Sequence, residues 1–141
     1  MRYKDQPLGS PEERLRRRQM LGNPRVGRLT RHVRQLRREM RYGCDIPFFD
    51  PLDGGVEAKM LFLFASPGEG ALESGFVSRD NRDPSAAKFA ALNRVVGLDR
   101  ELTASWNTVP WALDRPPKAE DTEEAKPLLG PNLNVSIASI W

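Results

Sequence analysis

Three short segments of this 141-residue chain carry side chains that together could grip a flat heterocyclic ring. The first is Ala65-Ser66-Pro67-Gly68, followed by Glu69-Gly70; Gly68 and Gly70 lack side chains, so a ligand can approach the backbone there. The second is Ser74-Gly75-Phe76-Val77-Ser78, in which Phe76 offers a face for stacking. The third is Trp106-Asn107-Thr108-Val109-Pro110-Trp111, where Asn107 presents one acceptor and two donors, enough to read one edge of a nucleobase. Each segment also has a plainer use. Asparagine at a strand end is often a turn former, Phe76 serves equally well as a loop anchor, and Ser66-Pro67-Gly68-Glu69 makes a tight turn. Trp106 and Trp111 read better as packing residues than as base stackers.

The elements around these segments would bring them to one place. Met60-Leu61-Phe62-Leu63-Phe64-Ala65 is a continuous apolar run of strand length, suited to a strand covered on both faces. Asp83-Pro84 opens a helix with Phe89, Leu92 and Val96 as its inner stripe and Gly97 at its end. Residues 103–109 form a second strand. Strand, helix, strand in that order implies a right-handed βαβ unit with parallel strands. Ligands of open parallel sheets bind beyond the carboxyl ends of the strands, where the 65–68 turn and Asn107 both emerge. Residues 66–83 read as one long loop with Ser78, Asp80 and Asn81 along it.

The head of the chain has a different character. Residues 1–42 hold 13 Lys/Arg against 4 acidic residues, a charge of +9, while residues 43–141 hold 9 against 15, a charge of −6. A basic head on an acidic body would meet a polyanion with the head. Ser10-Pro11-Glu12-Glu13 starts one helix, with Glu13 completing a capping box, and Gly22-Asn23-Pro24 separates it from a second that reaches about residue 42. The second carries Val26, Leu29, Val33, Leu36 and Met40 as one apolar stripe. Arg28, Arg31, Arg34, Arg38 and Arg41 cover much of the rest, either as a solvated face or as phosphate ligands, with Arg31, Arg34 and Arg38 the expected DNA-phosphate contacts. Residues 43–59 read as a turn-rich linker laying Phe48 and Phe49 on the body. Residues 121–129 suggest a short helix with Asp121 and Glu124 as a capping pair, and residues 127–141 carry no charge. The single cysteine, Cys44, excludes an intrachain disulfide and four-cysteine metal sites, and reads as a small buried residue. With no apolar run of membrane length and no signal peptide, a cytoplasmic location is expected.

Ala65-Ser66-Pro67-Gly68 followed by Gly75-Phe76-Val77 resembles the first motif of the uracil-DNA glycosylase superfamily, whose bacterial members often read Glu-Ala-Pro-Gly and later Gly-x-Pro-Phe-Val-Gly. Trp106-Asn107-Thr108-Val109-Pro110-Trp111 is similar to the strand carrying that family's base-reading asparagine. Ile46-Pro47-Phe48-Phe49-Asp50-Pro51 through Asp53-Gly54-Gly55 resembles the run-in of its cluster-free bacterial branch. The likeness covers roughly residues 44–111, and the ordered set is more specific than any one motif. It implies a three-layer α/β fold with a parallel sheet and a flipped-out uracil-type base in DNA, hydrolysed at its N-glycosidic bond. Phe76 would stack on the base, Asn107 would read its edge, and the backbone of Ser66, Pro67 and Gly68 would hold a base oxygen. No cofactor or metal is implied; the partner is uracil-containing or damaged DNA, with no membrane, and a monomer is expected.

The chain departs from the family's pattern in two places. Ala65 stands where the bacterial motif has its water-orienting glutamate, and the family's histidine loop follows a further strand, beyond residue 141. His32, the only histidine, lies on the basic helix as a surface residue. The expected organisation is a basic helical arm, 1–43, before a partial uracil-DNA glycosylase-like domain, 44–141, incomplete at its C-terminal end. Glu69 and Asp80, with Asp83, are the carboxylates that could replace the missing one. The alternative is a non-catalytic or vestigial DNA-binding protein that keeps the base pocket. A nucleotide-binding α/β module ranks third, because no Walker or dinucleotide glycine pattern is present.

Overall fold

A computed structural model describes residues 3–41, 43–128 and 136–139. Helix α1 (Pro11–Gln19) begins where Ser10 Oγ accepts from the Glu13 amide and Pro11 occupies the first turn. The reciprocal half of the expected capping box is absent, because the Glu13 carboxylate turns to Arg16 and Arg17 instead. Helix α2 (Pro24–Glu39) buries Val26, Leu29, Val33 and Leu36 of the stripe its spacing predicts, while Met40, the last of that stripe, falls at the C-cap and is half-buried because the helix ends short of residue 42. Burying each such side chain is worth about 1.5–3 kcal/mol. These residues share one hydrophobic core with Ile46, Phe49, Leu61, Leu63, Trp106 and Trp111 of the body. Residues 11–39 are therefore built into the fold and do not form a free appendage.

The chain between α2 and the first long strand is more structured than a linker. Strand β1 (Phe48–Phe49) pairs in parallel with β3 (Phe76–Val77), and the Phe49 ring stacks on Trp106 at 4.0 Å. Gly55 lets this segment pass close under α2. Its φ of 57° is left-handed, and a Cβ there would lie 2.1 Å from the Arg25 carbonyl oxygen, so no other residue fits without movement.

The main sheet has three parallel strands in the order β4-β2-β5: β2 (Met60–Phe64) is central, flanked by β4 (Thr103–Asn107) and β5 (Ser136–Ser139). The protein is thus mixed α/β. The strand from the 103–109 segment ends at Asn107. β5 lies in the uncharged tail, where the residue pattern predicts no strand. Its backbone pairs Ser136 to Ser139 with Met60 to Leu63, at the edge of the described sheet.

Residues 66–83 are not one long loop. They contain α3 (Glu69–Ser74), ended by Gly75 in the left-handed conformation, and then β3. Helix α4 (Pro84–Val96) follows, capped by Asp83, which accepts from the Ala86 amide at 2.7 Å. Its inner face is Phe89, Ala90 and Asn93; the expected Leu92 and Val96 are 54% and 72% exposed. Phe62 and Phe64 meet Phe89 edge-on, whereas Leu61 and Leu63 belong to the core that includes the α2 stripe. Because side chains alternate along a strand, α2 and α4 cover opposite faces of the sheet. Helix α5 (Ala119–Ala125) starts two residues before the expected position, and Asp121 caps it by accepting from the Lys118 amide at 2.7 Å. Cys44 is exposed, not buried, because the turn at 43–45 points it outward. No helix among the described residues is long and apolar enough to cross a membrane.

Candidate functional site

Asn107 closes β4 directly opposite Phe64, the last residue of β2. The Thr108 amide donates to the Phe64 carbonyl at 2.7 Å, and the Val109 amide to Ala65 at 3.0 Å. The 65–68 turn and Asn107 therefore leave the sheet side by side, at the carboxyl ends of adjacent parallel strands. Gly68 has open space around it, since a Cβ there would meet nothing within 4 Å. Gly70 serves the fold instead: a Cβ would collide with the Asp83 carboxylate at 2.3 Å, so its bareness makes room for the α4 cap and not for a ligand. Pro67 is buried and Ser66 half-buried.

Asn107 is 3% exposed, and its amide nitrogen finds no hydrogen-bond partner among the described residues. Leaving such a donor unmatched costs about 1–3 kcal/mol, and an unsatisfied buried group calls for an explanation. Ser105, Trp106 and Thr108 also hold unmatched polar atoms. Asn107 differs from Ser105 and Trp106 in standing at the strand end beside the 65–68 turn, where a bound group would find it.

The remaining residues of the expected pocket are occupied elsewhere. Phe76 is fully enclosed with Leu8, Leu21 and Phe48, packed as an anchor with no ring face open. Ser74 Oγ donates to Asn81 Oδ1 at 2.6 Å, and Asn81 Nδ2 donates to the Phe76 carbonyl at 2.8 Å, so Asn81 fastens the loop onto itself. Ser78 donates to Asp50 and accepts from the Asp80 amide. Asp83 caps α4. Glu69 is exposed at the start of α3 and has no ion pair among the described residues.

Asp80 belongs to a charge cluster whose arginine partners no sequence signal marked. Arg17, 2% exposed, reaches Asp50 at 2.7 Å, Asp80 at 2.9 Å and Glu13 at 2.8 Å. Arg100 meets Asp50 at 2.7 Å, Asp53 at 2.8 Å and Asp80 at 2.6 Å. Arg79 donates to Thr103 Oγ1 at 2.9 Å. Burial pushes the Asp53 carboxyl up to about 7, helped by neighbouring Asp50 and opposed by Arg100. Burial also works against the Arg100 charge, but the three aspartates outweigh it and hold the guanidinium protonated more firmly than an exposed arginine. Arg17 and Arg100 both contact Asp80 Oδ2, so this carboxylate is already engaged by two guanidinium groups. The one hint in the sequence was the Asp50-Pro51-Leu52-Asp53 turn, closed by the Leu52 amide on Asp50 Oδ1 at 2.9 Å. Its arginine partners lie 33 and 50 residues away along the chain.

Of the phosphate candidates, Arg31, Arg34 and Arg38 are exposed. His32 is half-buried, and its Nε2 lies 3.1 Å from the Leu128 carbonyl oxygen, tying α2 to the segment after α5. A cleft of about 70 Å³ runs between Arg37, Cys44, Ile46 and Leu72, and it shares no lining residue with Asn107 or the 65–68 turn. No protein-family model matches the chain, and no curated protein matches its sequence.

Proposed function

We propose that this chain is a uracil-DNA glycosylase-like protein that receives a flipped-out uracil-type base between the 65–68 turn and Asn107. The observation that carries this reading is the buried, unmatched Asn107 amide at the carboxyl end of β4, beside an open glycine turn. A uracil carbonyl would accept from Asn107 Nδ2 and remove the cost of leaving that donor dry. The helices on the two faces of the sheet support the finer reading of a three-layer uracil-DNA glycosylase-like arrangement. Stacking by Phe76 requires that Leu8 and Leu21 move off its ring.

The non-catalytic form of this function is favoured by a specific observation. Asp80 is held by Arg17 and Arg100, Asp83 caps a helix, and Ala65 supplies no acid, which leaves Glu69 alone near the turn without an ion pair. General acid–base groups typically contribute 10²–10⁴-fold in rate. Purified protein is incubated with uracil-containing and thymine-containing oligonucleotides, scoring both binding and alkali-labile sites. The expected result is a binding preference for uracil that Asn107→Ala removes, with little or no base release. Equal binding of the two oligonucleotides would overturn the pocket. Strong release abolished by Glu69→Gln would make the protein an enzyme with Glu69 orienting the water.

A further inference from the structure

The basic head splits into arginines that the fold consumes and arginines it leaves over. Arg14 and Arg16 pair with Glu73 and Glu13, Arg17 is buried among carboxylates, and Arg25 reaches Glu101 at 3.7 Å. Arg37 donates to the Ile46 carbonyl and lies over the Phe48 ring at 3.9 Å. Arg28, Arg31, Arg34 and Arg38 are exposed, and none has a carboxylate partner among the described residues. At 3.6 residues per turn these four fall on the side of α2 opposite the buried Val26, Leu29, Val33 and Leu36, and they span about 15 Å of helix. Like charges three or four residues apart destabilise a helix. Here three such steps follow one another with no acid between them, so a polyanion laid along the face would relieve their repulsion.

We propose that this face of α2 docks on the phosphate backbone of duplex DNA. Six arginines and no lysine on the helix fit forked recognition of phosphate oxygens. The exposed face itself carries no Phe, Tyr or Trp, and the half-buried Phe48 ring 5.9 Å from Arg34 is already covered by Arg37, whereas a single strand would need an open stacking platform. An anionic membrane is disfavoured because the apolar side of α2 is buried in the core and has nothing to insert. The choice of DNA over RNA rests on the base-pocket reading; the surface itself does not.

Removing residues 1–42 cannot test this, since it strips the core. The full chain is titrated instead against a fluorescent DNA duplex lacking uracil, from about 50 to about 200 mM salt. Four phosphate contacts give a log–log slope of about −3.6, so affinity falls on the order of 100-fold over that range. The Arg28→Gln, Arg31→Gln, Arg34→Gln, Arg38→Gln variant should lose at least about tenfold in affinity at low salt and most of that slope. Arg31→Gln alone should flatten the slope by about 0.9 and serves if the quadruple variant fails to fold. Arg94→Gln, an exposed arginine on α4 across the sheet, should leave the slope unchanged, and the use of a duplex without uracil keeps failure of the pocket distinct from failure of this surface. The proposal is overturned if the duplex is not bound at low salt, if Arg31→Gln and the quadruple variant keep the wild-type slope, or if vesicles of anionic phospholipid are bound and the duplex is not. Tighter binding of an RNA duplex overturns the assignment to DNA.

Discussion

On α1, Arg14, Arg16 and Arg17 each meet a carboxylate, Arg17 from inside the protein; on α2, Arg28, Arg31, Arg34 and Arg38 meet none among the described residues. The two helices are neighbours in sequence and similarly rich in arginine. What separates them is the surface each one faces. α1 packs toward the 50–53 turn and the 78–80 loop, which bring Asp50 and Asp80 to Arg17, whereas α2 uses its apolar side for the core and turns its basic side outward. The same residue type thus becomes a core tether at Arg17 and an exposed charge without a carboxylate partner among the described residues at Arg28, Arg31, Arg34 and Arg38, and net charge alone does not tell them apart.

The sharpest way to break this comparison is Arg17→Met. It leaves Asp50 and Asp80 buried with Arg100 as their remaining guanidinium partner, and removing one member of a buried ion cluster costs about 3–5 kcal/mol. The measurement is urea unfolding, with a loss under about 1 kcal/mol showing that the cluster contributes little. Leu29→Ala, from the buried stripe of α2, should cost about 2–5 kcal/mol in the same experiment, which would establish that the arm and body unfold together.

Asp53 gives a smaller effect with a definite sign. Its folded pKa is raised from 3.8 to about 7, so the folded protein keeps a proton that the unfolded chain has already released between those values. Stability contributed by this group is therefore present below about pH 4 and lost as pH rises to about 7. Asp53→Asn, which cannot ionise, should flatten that part of the pH profile, read as the melting temperature at pH 5 and pH 8. An unchanged difference between the two pH values would mean that Asp53 ionises normally. Arg31→Gln should change stability least, within about 0.5 kcal/mol, because the side chain is exposed and unpaired. A larger loss would move Arg31 to the structural side of the comparison.

Local order was largely legible. The apolar run at 60–65, the Ser10 and Asp83 caps, the α2 stripe and the parallel strand–helix–strand unit all follow from spacing and cap chemistry, which act over a few residues. Leu92 and Val96 were misjudged because helical period fixes which residues share a face but not how far the sheet extends beneath it. β5 escaped because four residues of moderate polarity carry no strong period. The neighbouring placement of Asn107 and the 65–68 turn could be anticipated, since parallel strands bring their carboxyl ends together. The enclosure of Phe76 could not, because Leu8 and Leu21 come from the far end of the chain.

By itself the sequence determined that a basic, helical head precedes an α/β body, and that an amide and a glycine turn end neighbouring parallel strands. Both are consequences of local pattern. Tertiary structure alone decided which charges are spent and which remain available. Arg17, Asp50, Asp80 and Arg100 meet across separations of 20 to 63 residues. Coulomb attraction becomes strong and specific only after folding excludes water from between such partners.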